Sequence, residues 1–165
     1  NFYCIMSAQD IGVELEMRNI PILLEILSSA KDAINDQVKV QHPEETHLTS
    51  WRQFIVYGKP TVSGAHAKNI TVAPPPLGMW DRSPCGTGTC ARMASLHAHG
   101  QLELNQEFVN ESMLGTTFRG KLVSATKVGG YDAVIPEVTG SAYVTGSYTM
   151  LISADDPLRH GIMTA

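Results

Sequence analysis

Apolar residues along the first third of the chain change their period twice. Phe2–Ser7 (FYCIMS) is a short apolar run with two aromatic residues, which predicts a buried strand. A turn follows around Asp10–Gly12. Asn19 and Pro21 then form a helix-start signal, because proline in the first turn lacks only an N–H that has no partner there. Ile22, Leu23, Ile26, Leu27, Ala30 and Ile34 follow at helical spacing, so the pattern predicts an amphipathic helix over Ile20–Gln37 lying against a sheet. Gln41–Ser50 is polar and reads as a loop. Trp51–Tyr57 alternates as a strand that stops at Gly58, Lys59–Lys68 reads as a loop, Asn69–Ala73 as a short strand, and Pro74–Pro76 as a rigid extended connector.

A different pattern begins at Asp81. In DRSPCGTGTCARMASLHAHG (Asp81–Gly100) a cysteine, Cys85, follows a proline and precedes two glycines at what reads as a helix start. The predicted helix, near residues 86–99, has Arg92 as its only full-time charge. Ala91, Ala94, Ser95 and Ala98 share it with Cys90, Met93 and Leu96, so no broad polar face exists and burial all round is expected. Beyond Gly100 the period falls to two. Glu107–Leu114, Thr117–Ala125, Ala133–Val138, Ala142–Thr145 and Tyr148–Ser153 are strand candidates, with Gly115, Gly120, Gly129-Gly130, Gly140 and Gly146 between or within them. The picture is an α/β (α+β) chain in which a curved, mostly antiparallel sheet wraps a central helix. Residues 1–153 form the domain and 154–165 a tail that docks elsewhere.

Size and charge narrow the classes. At 165 residues there is room for one substantial core. A formal charge of −4 offers no electrostatic case for nucleic acid or anionic lipid, and no apolar run reaches the roughly 20 residues of a membrane span. Three cysteines cannot all pair internally, and nothing resembles a disulfide framework, which points to a reducing, cytoplasmic setting. Asn69-Ile-Thr71 and Asn110-Glu-Ser112 match the glycosylation pattern but read better as ordinary strand residues. His42 and His47 lack a supporting carboxylate or thiol at ligand spacing, so no metal site is expected. Cys4, inside a strand, reads as a packed thiol. The chain opens at Asn1 directly into a strand, as part of a longer polypeptide would.

The candidate chemistry lies at Cys85. At a helix N-terminus the amides of Gly86, Thr87 and Gly88 and the helix dipole favour a thiolate and also cradle an anion. The glycines allow a ligand close to the backbone. Asp81, four residues earlier, is placed to accept a hydrogen bond from a cationic amine. Carboxylate acceptor, amide donors and thiol together describe a pocket for a zwitterionic amino acid. Gly86-x-Gly88-x-x-Ala91 also fits the dinucleotide fingerprint, but Pro74–Pro84 is no clean strand ahead of it. Cys85 and Cys90 do not have redox-pair spacing. A cysteine-protease base would have to be His66, His97 or His99. The latter two lie roughly 18 Å down the helix from Cys85 at about 1.5 Å per residue, where a helix C-terminus favours positive charge.

DRSPCGTGT (Asp81–Thr89) resembles the second cysteine motif of the proline racemase and 4-hydroxyproline epimerase family. The resemblance continues through ARMASLHAHGQLEL, FVNESMLGTTFRG, PEVTGSAYVTG and DDPLRHG. It implies a diaminopimelate-epimerase-like half, in which strands wrap a central helix and the active site lies between two pseudo-symmetric halves. It also implies catalysis without pyridoxal phosphate or metal, one cysteine removing an α-proton while a second supplies one from the opposite face. By the same resemblance Cys85 is the second of these cysteines, Asp81 contacts the substrate amine, and Gly86 and Thr87 bind its carboxylate. The expected partners are proline or hydroxyproline and a missing N-terminal half, with a homodimer as one assembly. The family's first cysteine lies in a Cys-Gly-His type motif that this chain lacks, so a catalytically incomplete binding module is an alternative. Family members often carry an aromatic residue about ten positions before the motif cysteine, where this chain has Pro74–Leu77. Related trans-3-hydroxyproline dehydratases tend to have threonine where Cys85 stands, which favours racemase or epimerase chemistry here.

Overall fold

The computed structural model describes residues 1–49 and 51–161, and of residues 51 and 52 the backbone alone. Among the described residues two α-helices and seven strands order the chain, with a 3-10 turn (Met17–Asn19) leading into the first helix: β1 (Phe2–Ser7), α1 (Ile20–Gln37), β2 (Trp51–Gly58), β3 (Ala67–Ala73), β4 (Met79–Trp80), α2 (Gly86–Ala98), β5 (Phe108–Glu111), β6 (Thr117–Val128) and β7 (Tyr131–Thr139). Among the described residues the seven strands make one sheet in the order β1-β2-β3-β5-β6-β7, with β4 paired to β3 off that path. The β1–β2 and β3–β5 pairs are parallel and the other four antiparallel. Helix α2 packs on β6 and β7 and also touches β1, at the other end of the sheet, so the sheet curls around it. The expected curved, mostly antiparallel sheet around a central helix is therefore what forms.

Alternation along the central strands divides the molecule into two layers. Phe54 and Val56 of β2 and Ile70 and Val72 of β3 join Leu23 and Leu27 of α1 in one apolar core. Burying a leucine side chain of this kind contributes about 1.5–3 kcal/mol, which is why the helical stripe docks where it does. The intervening positions, Tyr57 on β2 and Asn69 and Thr71 on β3, face α2. A second, smaller core joins Met93 of α2 to Phe108 and Leu122 of β5 and β6. A hairpin links β6 to β7 through Gly129 and Gly130, both at positive φ (52° and 88°), the backbone a two-residue turn demands. Pro136 lies inside β7, tolerated because β7 is an edge strand.

Several expectations need correction. The second strand of the centre begins at Ala67, not Asn69, and is buried throughout, which shortens the preceding loop. Asn19 precedes α1, but its side chain donates to the Glu14 carbonyl (3.0 Å) and does not cap the helix. The strand expected over Glu107–Leu114 ends at Glu111, because Ser112–Thr116 closes a turn whose Ser112 hydroxyl accepts the Leu114 and Thr116 amides. Helix α2 is not buried all round: Gly88, Thr89, Arg92 and Met93 are buried, Ala91, Ala94 and Ser95 are half-buried, and Gly86, Thr87 and Ala98 are exposed. Ala142–Thr145 and Tyr148–Ser153 do not form strands. The chain leaves the sheet after Thr139, and with no strand to pair with, Tyr143 and Val144 are 88% and 96% exposed and Leu151 94%. A strand pattern without a ladder partner cannot satisfy its backbone in a sheet. The last four residues of the expected tail, 162–165, lie outside the described residues. Among the described residues no helix is long and apolar enough to cross a membrane.

Candidate active site

Cys85 sits at the N-cap of α2 with backbone φ 64° and ψ 120°. A positive φ is costly for a side chain with a Cβ, and such strain persists only where the surroundings impose it. Several bonds impose it here. The Cys85 amide donates to the Ser83 hydroxyl (3.1 Å), the Thr89 amide donates to the Cys85 carbonyl (2.8 Å), and the Gly88 amide donates to the Cys85 sulfur (3.3 Å). The thiol thus takes the capping role that a serine or aspartate oxygen usually fills. The amides of Gly86 and Thr87 have no acceptor among the described residues. A Cβ on Gly86 would meet nothing within 4 Å, so the approach to these two donors is open. Free first-turn amides with the helix dipole behind them are chemically suited to hold an anion beside the sulfur.

The support under this turn is a set of buried polar side chains from two strands, β3 and β5, and the helix. Asn110 Nδ2 on β5 donates to the Thr89 hydroxyl (2.9 Å), which donates to the Pro84 carbonyl (3.2 Å). Asn69 Nδ2 on β3 donates to the same carbonyl (3.2 Å). Thr71, two residues on, donates nothing; its hydroxyl is buried without a partner and stands next to Gly88. Its carbonyl accepts the Asp81 amide (3.0 Å), so one strand residue abuts the helix start and holds the residue leading into the turn. The Asp81 carboxylate, half-buried, has no partner among the described residues and is available as an acceptor. Asn69-Ile-Thr71 lies within β3, and Asn110-Glu-Ser112 runs from the end of β5 into the following turn, with Asn69 and Asn110 fully buried.

Tyr3 of β1 adds a contact that the spacing of the motif does not reveal. Its hydroxyl is hydrogen-bonded to the Thr87 hydroxyl, whose oxygen lies 3.6 Å from the Cys85 sulfur. Burial pushes the Tyr3 phenol up, and a charge on Cys85 pushes it the same way, against the lowering effect of Thr87. Burial also raises Cys90 and Cys4, with Cys85 adding to the effect on Cys90, so both remain neutral thiols. All three cysteines are free.

The histidines are engaged elsewhere. His97 Nδ1 bonds the Leu102 carbonyl (2.7 Å) and His99 Nδ1 the Ser95 carbonyl (2.7 Å), both at the C-terminal end of α2. His66 accepts the Val109 amide (2.8 Å) and stacks on Phe108. His42 accepts the amides of Glu44 and Glu45 within its own loop. No described histidine bonds Cys85, so a thiol–histidine pair is not what this site presents. Cys85, Gly86 and Thr87 share the start of α2, and Asp81 lies on the segment leading into it, its amide held by the Thr71 carbonyl. The residues missed from the sequence are Tyr3, Asn69, Thr71, Thr89 and Asn110. The available signal was the alternate polar pair Asn69 and Thr71, set among the apolar residues Ile70, Val72 and Ala73 of one strand.

The family model described as proline racemase matches residues 1–163. The chain belongs to the proline racemase family. It is 41% identical over 163 residues to a proline racemase of Clostridioides difficile, covering 99% of this chain and 48% of that one. It is 36% identical over 165 residues to a 4-hydroxyproline epimerase of Brucella ovis, covering 100% of this chain and 49% of that one. Among solved structures it is similar to a hydroxyproline epimerase from Agrobacterium vitis with bound trans-4-hydroxy-L-proline, at 32% identity and a TM-score of 0.78, over 99% of this chain and 46% of that one. The chain spans about half the length of the curated relatives it matches. These relatives are named as a racemase and an epimerase, which are isomerases.

Proposed function

We propose that this chain supplies one face of a cofactor-independent amino-acid racemase or epimerase acting at Cα of proline or 4-hydroxyproline. The observation that carries the reading is the strained Cys85 turn, which sets a thiol beside two unpartnered amides and within a few residues of a free carboxylate. In this reading the substrate carboxylate accepts the Gly86 and Thr87 amides, and the Asp81 carboxylate accepts a hydrogen bond from the ring ammonium. The Cys85 thiolate then takes the α-proton: the Cα–H bond breaks, an S–H bond forms, and the electron pair stays on Cα, spread into the carboxylate that the amides hold. Donors aimed at developing charge are the strongest single aid to so weak a carbon acid. A second acid, by family resemblance a cysteine, returns a proton to the opposite face.

That second group belongs to a partner half. Residues 1–153 act as one racemase-type half and 154–165 as a tail docking on the other. The exposed apolar side chains from Tyr143 to Ile152 suit an extension of that docking surface upstream. Three free thiols suit a reducing, cytoplasmic setting.

The test is to incubate the full-length protein containing this chain with L-proline and with trans-4-hydroxy-L-proline in D2O, following α-deuterium by NMR. The expected result is exchange with inversion for one of them, abolished by Cys85→Ala. Absence of Cys85-dependent exchange with either overturns the reading. A ketone product without α-epimer would mark dehydration, and saturable ligand binding without exchange a binding module.

A further inference from the structure

Arg92 is the single full-time charge of α2, and it points the wrong way for a surface residue. It is 7% exposed, on the buried side of the helix. Its guanidinium carbon lies 3.9 Å from the centre of the Tyr57 ring. Among the described residues it has no hydrogen bond and no ion pair, and its Nε is buried without a partner. Burial lowers its affinity for the proton, while Tyr57 opposes this. The attraction of one aromatic face is smaller than the usual cost of taking a charge out of water, so the arginine is under-compensated.

Arg92 lines a cavity of about 890 Å³ that Cys85 does not line. Other donors border it, among them the exposed Lys59 and two that flank the arginine site, Lys68 and His66. Lys68 gives hydrogen bonds to Glu111 (3.1 Å) and to the Thr61 hydroxyl (3.3 Å), which leaves the third of its three N–H groups. His66 accepts the Val109 amide at Nδ1, so the neutral ring carries its proton on Nε2 and can donate. Ala8, Val13 and Pro60 supply apolar wall. Glu14 and Glu16 also border the cavity but are exposed, and Glu16 is paired with Arg18 (2.6 Å). Solvent screens exposed carboxylates far more than the buried arginine.

We propose that this cavity is a second binding site, separate from the Cys85 turn, which takes a small organic carboxylate on the Arg92 guanidinium. The fork of Arg92 suits a bidentate carboxylate, Lys68 and His66 supply further donors, and the apolar wall accommodates a short carbon body. The inference stands independently of the reaction at Cys85.

The probe is sodium succinate, titrated into the whole protein and followed through the Arg92 Nε–H resonance and through melting temperature, against sodium chloride of equal ionic strength. The expected result is a saturable shift of that resonance and a melting temperature raised beyond the chloride control. Affinity should fall about tenfold or more in Arg92→Met, the loss of a charge-assisted bond. Cys85→Ala should leave it unchanged, which separates this site from the active-site reading. A non-saturable response equal to chloride overturns the proposal in the unmodified protein, whether or not Arg92→Met folds. So does succinate binding that persists in Arg92→Met or disappears in Cys85→Ala.

Discussion

The Gly88 amide donates to the Cys85 sulfur at 3.3 Å, and Gly88 has no room for a side chain. A Cβ at Gly88 would stand 2.8 Å from the Thr71 hydroxyl and 3.1 Å from the Cys85 sulfur. Helix start, thiol and strand β3 are therefore packed to one another through a single glycine. Gly88→Ala should destabilise the fold by about 1–3 kcal/mol, as overpacking does, and displace the sulfur. Urea unfolding and the rate of Cys85 alkylation at fixed pH check both parts. An unchanged alkylation rate would show that the sulfur is not seated by this contact.

Asn110→Ala removes the donor to Thr89 and loosens the bond from Thr89 to the Pro84 carbonyl. The expected cost is about 1–3 kcal/mol, because a buried hydroxyl loses a partner it cannot replace with water. Hydrogen exchange at the Thr89 amide should quicken more than exchange in α1, which packs on the other face of the sheet.

Glu111 is fully buried and accepts the Thr61 amide (2.6 Å), the Val62 amide (2.8 Å), the Thr61 hydroxyl and Lys68. Burial pushes its carboxyl up, but these four donors outweigh it and bring the pKa down to about 2 from 4.5. A folded value below the unfolded one gives stability that is complete above about pH 4.5 and drains away as pH falls toward 2, roughly 3 kcal/mol in all. Unfolding free energy measured from pH 6 to pH 2.5 should show this fall, and Glu111→Gln should flatten it. At pH 7 the same variant should cost about 3–5 kcal/mol, because Lys68 is left buried without its counterion.

Tyr3→Phe deletes the hydroxyl that meets Thr87 without changing the ring. The freed Thr87 hydroxyl, already 3.6 Å from the sulfur, loses the partner that orients it. On the proposed reaction, α-proton exchange should fall by about tenfold, the worth of one hydrogen bond, with stability nearly unchanged. A stability loss that matches the activity loss would assign Tyr3 to packing alone.

The sequence by itself determined whatever depends on neighbours along the chain. The apolar stripe of Ile20–Gln37 makes α1, the paired glycines at 129 and 130 make the hairpin, and Asp81–Thr89 places a thiol at a helix start. Each of these follows from residues close together in the sequence, where periodicity and turn chemistry act. Tertiary structure decided what needs partners distant in sequence. Asn69, Thr71 and Asn110 look like ordinary strand residues until β3 and β5 carry them under the Cys85 turn, and Tyr3 reaches Thr87 across 84 positions. Arg92 turned inward onto Tyr57, although a lone charge on a helix usually finds water. Residues 142–153 carry a strand's pattern yet make no strand, because a strand exists only through the ladder beside it.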